Sequence, residues 1–146
     1  LFVHQLKSNN TSSGIKTSLQ NMKDFFGYQQ SGKFDNCVQL ARACFDDYYN
    51  YTIMDLLSLF PKDAKDKEGA PFWSGPKRCP SAIPFDVNNK DHMGFIVSYS
   101  NLIAAALKIP ENRDTAAIAQ IVKGVTVPAY VPKKIVVKLP GEEENN

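Results

Sequence analysis

Three cysteines and two histidines are the residues of this chain best suited to nucleophilic or metal chemistry. Cys37 and Cys44 stand seven positions apart, and Cys79 lies far downstream beside Pro80. Zinc sites are built from ligand pairs about two to four residues apart, or from an HExxH arrangement. Neither pattern occurs, and His4 and His92 are unpaired in the sequence. Cys79 follows Lys77 and Arg78, and nearby cations lower a thiol's pKa and raise its thiolate fraction. A nucleophile also needs a base and an oxyanion stabiliser, and no local arrangement supplies them. The acidic pairs Asp46–Asp47 and Asp86–Asp91 are no better suited, since adjacent helical residues point in different directions and loop pairs are ordinary surface features. No Gly-x-x-x-x-Gly-Lys-Ser/Thr, Gly-x-Gly-x-x-Gly or Gly-x-Ser-x-Gly string is present, so neither a phosphate cradle nor a nucleophile elbow is visible. The residues alone therefore predict no catalytic, cofactor-binding or metal site in this chain.

The elements that position these residues follow from apolar spacing. Residues 1–14 end in a polar Ser/Asn/Thr/Gly run and read as flexible. Ile15, Leu19, Met22 and Phe26 fall at helical intervals, with Gly27 as a stop and Gln29–Lys33 as a connector. Asp35 can cap a second helix whose stripe is Cys37, Leu40, Ala41, Cys44, Phe45 and Tyr48, which makes Cys37 and Cys44 core thiols. Thr52 and Asp55 form a shortened capping box for a short helix burying Ile53, Leu56, Leu57 and Phe60, ended by Pro61. Five prolines (Pro61, Pro71, Pro76, Pro80, Pro84) break the stretch to Lys90. A loop this long is functional or tied down by its own apolar anchors, and Phe72, Trp73, Ile83, Phe85 and Val87 are the candidates. Asn89 or Asp91 can start the next helix, which runs to about Lys108 and buries Met93, Ile96, Val97, Ile103, Ala104 and Leu107. Asp114 caps the last helix, through Ile118, Ile121, Val122 and Val125 with Gly124 near its end. Beyond it Val127–Pro132 is extended, Lys134–Lys138 reads as a short β-strand, and 141–146 as a disordered tail. The expected fold is mainly α, about five helices with a long proline-rich loop and a short C-terminal extended or β segment, in one domain over 15–140.

An apolar share of 43 %, with nine Phe, six Tyr and one Trp, is enough to build a core. Seventeen Lys and Arg against fifteen Asp and Glu leave +2, which gives no concentrated basic surface for a nucleic acid or a membrane. No run approaches the roughly 18–20 apolar residues of a membrane span. The odd cysteine count argues against a disulfide framework and favours a reducing compartment. The start Leu-Phe-Val-His has no signal-peptide pattern and no initiator Met, which predicts a piece of a longer chain. The sequons at Asn10 and Asn50 are therefore expected to stay unmodified.

Gly69-Ala70-Pro71-Phe72-Trp73-Ser74-Gly75-Pro76-Lys77-Arg78-Cys79-Pro80, followed by Phe85-Asp86-Val87-Asn88-Asn89, resembles the signature of eukaryotic ubiquitin-activating enzymes. Asp35-Asn36-Cys37 with the helix to Tyr51, Leu56-Leu57-Ser58-Leu59-Phe60-Pro61, and Val127-Pro128-Ala129-Tyr130-Val131-Pro132-Lys133 resemble further phrases of that family, with Tyr130 where its Phe stands. The likeness covers Asp35 to Lys138, and Leu1–Asp35 is poorly matched. It implies the helical second catalytic-cysteine half-domain of an enzyme that adenylates the ubiquitin C-terminus with ATP and magnesium. That enzyme then carries ubiquitin as a cysteine thioester for a ubiquitin-conjugating enzyme. The resemblance places the nucleophile upstream of Leu1, and Cys37, Cys44 and Cys79 match positions that are not the nucleophile. The implied partners are ubiquitin, the conjugating enzyme and the adenylation domain of the same polypeptide, in cytoplasm and nucleus. An activating enzyme for another ubiquitin-like protein, or a non-catalytic helical interaction module, would share these features.

Overall fold

A computed structural model describes Gln20, Lys23, Asp24 and residues 26–132. Residues 26–31 are helical, and the helix passes through Gly27, the expected stop. It ends instead at Gly32, whose φ of +62° is the left-handed conformation that glycine adopts without a Cβ clash. Ser31 closes this end, donating from Oγ to Tyr28 O at 2.8 Å and accepting from Asn36 Nδ2. The connector thus shrinks to Gly32 and Lys33.

Helix α1 spans Phe34–Asp46. Asp35 lies in its first turn rather than at the cap, a position where the helix dipole favours a carboxylate. Cys37, Val38, Ala41 and Phe45 are buried. A π turn over Asp47–Tyr51 follows, in which the Thr52 N–H donates to Asp47 O five residues back. This wider turn swings Tyr48 off the stripe, leaving it 50 % exposed, and brings the Tyr49 ring to 5.0 Å from Phe45. Helix α2, Thr52–Leu59, continues directly from it. The expected capping box is absent because Thr52 is itself helical, at φ −61° and ψ −36°, whereas a cap needs extended backbone.

The chain divides into two compact units, and the division falls between Ala41 and Arg42. The first runs to Ala41 and resumes over Val87–Val125. Its α3, Lys90–Leu107, is capped by Asn89, whose Oδ1 accepts from Asp91 N at 2.9 Å and His92 N at 3.3 Å. Lys108 ends α3 in the left-handed region, φ 57°. The Ile109 N–H returns to Ala104 O at 2.8 Å and the Lys108 N–H to Ala105 O at 3.3 Å, the paired bonds of a Schellman end. Helix α4, Thr115–Gly124, is capped by Asp114, accepting from Ala116 N at 2.9 Å and Ala117 N at 3.1 Å. It packs against α3. Met93, Ile96, Ala104, Leu107, Ile118 and Val122 are buried as the spacing predicts; Val97, Ile103 and Ile121 are half-buried. Cys37 joins Ala104, Leu107 and Ile109 in one apolar cluster, with Tyr28 and Phe34 at its edge. The spacing does not foresee Ser100 and Asn101, both buried. Ser100 Oγ donates to Ile96 O at 2.6 Å. Asn101 holds the α3–α4 connection, donating from Nδ2 to Asn112 O at 2.7 Å and accepting from Asn112 N at 3.0 Å.

The second unit covers Arg42–Asp86 and resumes at Thr126. Ile53, Leu56, Leu57 and Phe60 of α2 are only half-buried, and the residue of α2 removed from solvent is Asp55, 2 % exposed. Phe45 meets Phe85 edge to face at 5.2 Å. The Arg42 guanidinium lies 4.1 Å over the Phe85 ring, and its Nη1 is 2.5 Å from Asp46 Oδ2. That ion pair is a contact of charges, because the buried Nη1 meets no acceptor with hydrogen-bond geometry. Ile83 is a correction: its side chain is 41 % exposed, and the anchor is its backbone N–H, which donates to Tyr49 O at 2.7 Å. The described residues form helices, one isolated bridge at Lys65 and Pro71 and irregular segments, a mainly α fold. The strand expected over Lys134–Lys138, the tail 141–146, residues 1–14 and the expected helical positions Ile15, Leu19 and Met22 lie outside the described residues.

Candidate functional site

All three cysteines are free thiols. Cys37 is fully buried; burial pushes its thiol up, and a backbone hydrogen bond at its own position opposes this in part. A thiol raised and enclosed in this way is a packing residue. Cys44 and Cys79 are half-buried, and the Cys79 thiol points to Pro80 O at 3.7 Å. Of the two cations expected to activate Cys79, Lys77 places its ammonium 4.8 Å over the Phe72 ring. Asp46 is matched by Arg42, while Asp86 and Asp91 are exposed. Among the described residues no group of three or more His, Cys, Asp or Glu side chains could hold a metal ion. His92 lies in the first turn of α3, and His4 lies outside the described residues.

The segment richest in unusual residues is built as a staple on the end of α2. Asp66 Oδ1 accepts from Glu68 N at 3.0 Å and Ala70 N at 2.9 Å, and Gly69 takes φ +85° to complete the turn. This returns the chain so that the Phe72 N–H donates to Ala64 O at 2.8 Å. The Phe72 ring then stacks on Phe60 at 4.4 Å and 6°, with Trp73 edge-on to Phe72 at 4.9 Å. Trp73 Nε1 donates to the carbonyls of Phe60 and Pro61, each at 3.0 Å. Those carbonyls lie just past the last turn of α2, where intrahelical donors run out. Gly75 turns the chain again, at φ +56°. Phe72 and Trp73 are the anchors the sequence indicates, but they are half-buried and clamp a helix end.

The extended segment after α4 is held by the same helix run, nearer its start. Tyr51 Oη donates to Pro128 O at 2.9 Å, and Tyr130 Oη donates to Asp55 Oδ1 at 2.6 Å. The two rings lie 5.4 Å apart. The hydrogen bond to Asp55 raises the Tyr130 pKa above the usual phenol range, with burial and the carboxylate's charge adding to it. Pairing of Asp55 with Tyr130 has no signature in sequence: the partners lie 75 positions apart, and Asp55 reads there as the acidic member of a capping box with Thr52.

This geometry defines a mainly α chain whose described loops are fixed by rings and carbonyls. The description "Ubiquitin-activating enzyme, SCCH domain" matches residues 1–146, and the chain belongs to that family. It is similar to ubiquitin-activating enzyme E1 1 of Schizosaccharomyces pombe, 37 % identical over 123 residues, which is 84 % of this chain and 12 % of the relative. It is 38 % identical over 120 residues to ubiquitin-activating enzyme E1 1 of Candida albicans, 82 % of this chain and 12 % of that one. Human ubiquitin-like modifier-activating enzyme 1 is 39 % identical over 105 residues, 72 % of this chain and 10 % of that protein. The chain thus spans 10 to 12 % of the length of these relatives.

Proposed function

We propose that this chain is the helical scaffold of a ubiquitin-activating enzyme, framing a thioester-forming cysteine contributed by another part of the polypeptide. The parent enzyme adenylates the C-terminus of ubiquitin with ATP and magnesium and carries it as a thioester for a conjugating enzyme, in cytoplasm and nucleus. ATP and magnesium are assigned to the adenylation domain of the same polypeptide, as the family resemblance implies. The observation that carries the reading is the Gly69–Pro80 segment, built into a rigid staple within a chain of this family. The fixed loop suits a frame, and its half-buried Cys79 directs its thiol to Pro80 O at 3.7 Å. The chain alone, incubated with ATP, magnesium and ubiquitin, should form no thiol-sensitive adduct. The full-length parent should form one, and Cys79→Ala should leave it intact. An adduct on Cys79 would overturn the assignment. A parent that loads another ubiquitin-like protein in preference to ubiquitin would move the enzyme to that neighbouring class.

A further inference from the structure

The two tyrosine contacts on the returning segment share a geometry that neither has alone. From Tyr51 to Asp55 the helix advances four residues, about 6 Å at 1.5 Å per residue. From Pro128 to Tyr130 the extended chain advances two residues, about 6.6 Å. The hydrogen bonds at 2.9 and 2.6 Å therefore join points spaced almost equally on both elements. The contacts are also reciprocal: a helix side chain holds the segment's backbone, and a segment side chain holds a helix carboxylate.

We propose that Tyr51, Asp55 and Tyr130 form a register clasp, a set of positioning residues that fixes where residues 126–132 lie along the helix. A slip of one residue would present Ala129 or Val131 to Asp55, and a slip of two would present Pro128 or Pro132. None of these has a donor on its side chain, and the prolines have no N–H either. Asp55, 2 % exposed, would in each case lose a partner in a place that water does not reach, so the alternatives are disfavoured together. Pro128 and Pro132 narrow the backbone choices before the clasp closes. The role given to the clasp rests on the function proposed above: it sets the path by which the chain continues toward the adenylation domain, and so the approach of the thioester cysteine to adenylated ubiquitin.

The test uses the full-length parent, with Tyr130→Phe and, separately, Asp55→Asn, which keeps the acceptor oxygen for the Tyr130 hydroxyl. Limited proteolysis by proteinase K within residues 126–132 should quicken about tenfold in Tyr130→Phe and stay near wild type in Asp55→Asn. The rate of ubiquitin thioester formation should drop several-fold in Tyr130→Phe, with ATP–pyrophosphate exchange unchanged, and stay near wild type in Asp55→Asn. Unaltered proteolysis in Tyr130→Phe overturns the clasp. Faster proteolysis with unaltered thioester formation, or an equal fall in pyrophosphate exchange, overturns its positioning role. A wild-type parent that loads no ubiquitin refutes the functional reading and the role with it, while the proteolysis contrast still decides the clasp.

Discussion

Between Lys90 and Gly124 the contacts that fix the fold are mostly between side chains with no polar atom: Met93, Ile96, Ala104, Leu107, Ile118 and Val122. From Arg42 to Asp86, and again from Thr126, the fixing contacts end in a polar tip or the face of a ring. Trp73 reaches two carbonyls, Tyr130 a carboxylate, Tyr51 a carbonyl, and Arg42 both an aspartate and a phenyl ring. The first region hides apolar area, which is nondirectional and tolerates sliding of one surface on another. The second needs its atoms at particular angles and distances, because a hydrogen bond weakens steeply when misaligned. A helix pair can be held by the first means. An irregular segment such as Pro61–Asp86 has no ladder of its own, so each bend needs a separate acceptor.

Substitutions can break this contrast in order of size. Ile96→Ala empties a fully enclosed site and should cost about 3 kcal/mol in denaturant unfolding. A loss below about 1 kcal/mol would mean that the α3 core is looser than its burial implies. Trp73→Ala removes a half-buried ring and a donor shared by two carbonyls, for about 2 kcal/mol and several degrees of melting temperature. A cycle with Phe72→Leu should then leave a coupling of about 1 kcal/mol; simple additivity would count against the staple. Lys108→Gly runs the other way, relieving a left-handed non-glycine residue, and should stabilise by about 0.5–1 kcal/mol.

A pH scan sharpens the comparison further. Cys37 and Tyr130, one in each compact unit, both have folded pKa values raised above their ordinary ones. Above the ordinary value the unfolded chain gives up its proton while the folded chain keeps it, so the unfolded state gains as pH climbs. The stabilising increment is complete below the ordinary thiol and phenol ranges and fades as pH rises through the folded values. Cys37→Ala and Tyr130→Phe should each flatten the alkaline fall in stability measured by thermal unfolding. A slope equal to wild type in both would remove the physical basis for calling Cys37 a packing thiol.

Legibility in the sequence followed the same division. The cap at Asp114 and the stripe from Met93 to Leu107 can be read off directly, and the cap of α3 is narrowed to Asn89 or Asp91, since they depend on residue type at fixed local spacing. The aromatic anchors Phe72 and Trp73 were visible as residues, but their seat on Phe60 was not, because a long loop leaves the direction of its return open. Asp55 was misread, as its burial depends on a hydroxyl far along the chain. Asn101 was missed because a polar residue inside an apolar stripe gives no sign of what it will meet, here the backbone of Asn112.

The π turn at Asp47–Tyr51 has one more consequence. A wide turn holds one residue more than the α-helix around it needs, so the helix run acts as a counter whose tally decides which side chain is presented downstream. Deleting Tyr48 would let the run close up as ordinary α-helix while the residues beyond it keep their faces, so Asp55 would stay under Tyr130. A second residue removed from the run would find no such slack and would turn everything beyond it by about 100°, carrying Asp55 out from under Tyr130. The protein would then have suffered a frameshift in space, with every codon after the deletion still read correctly.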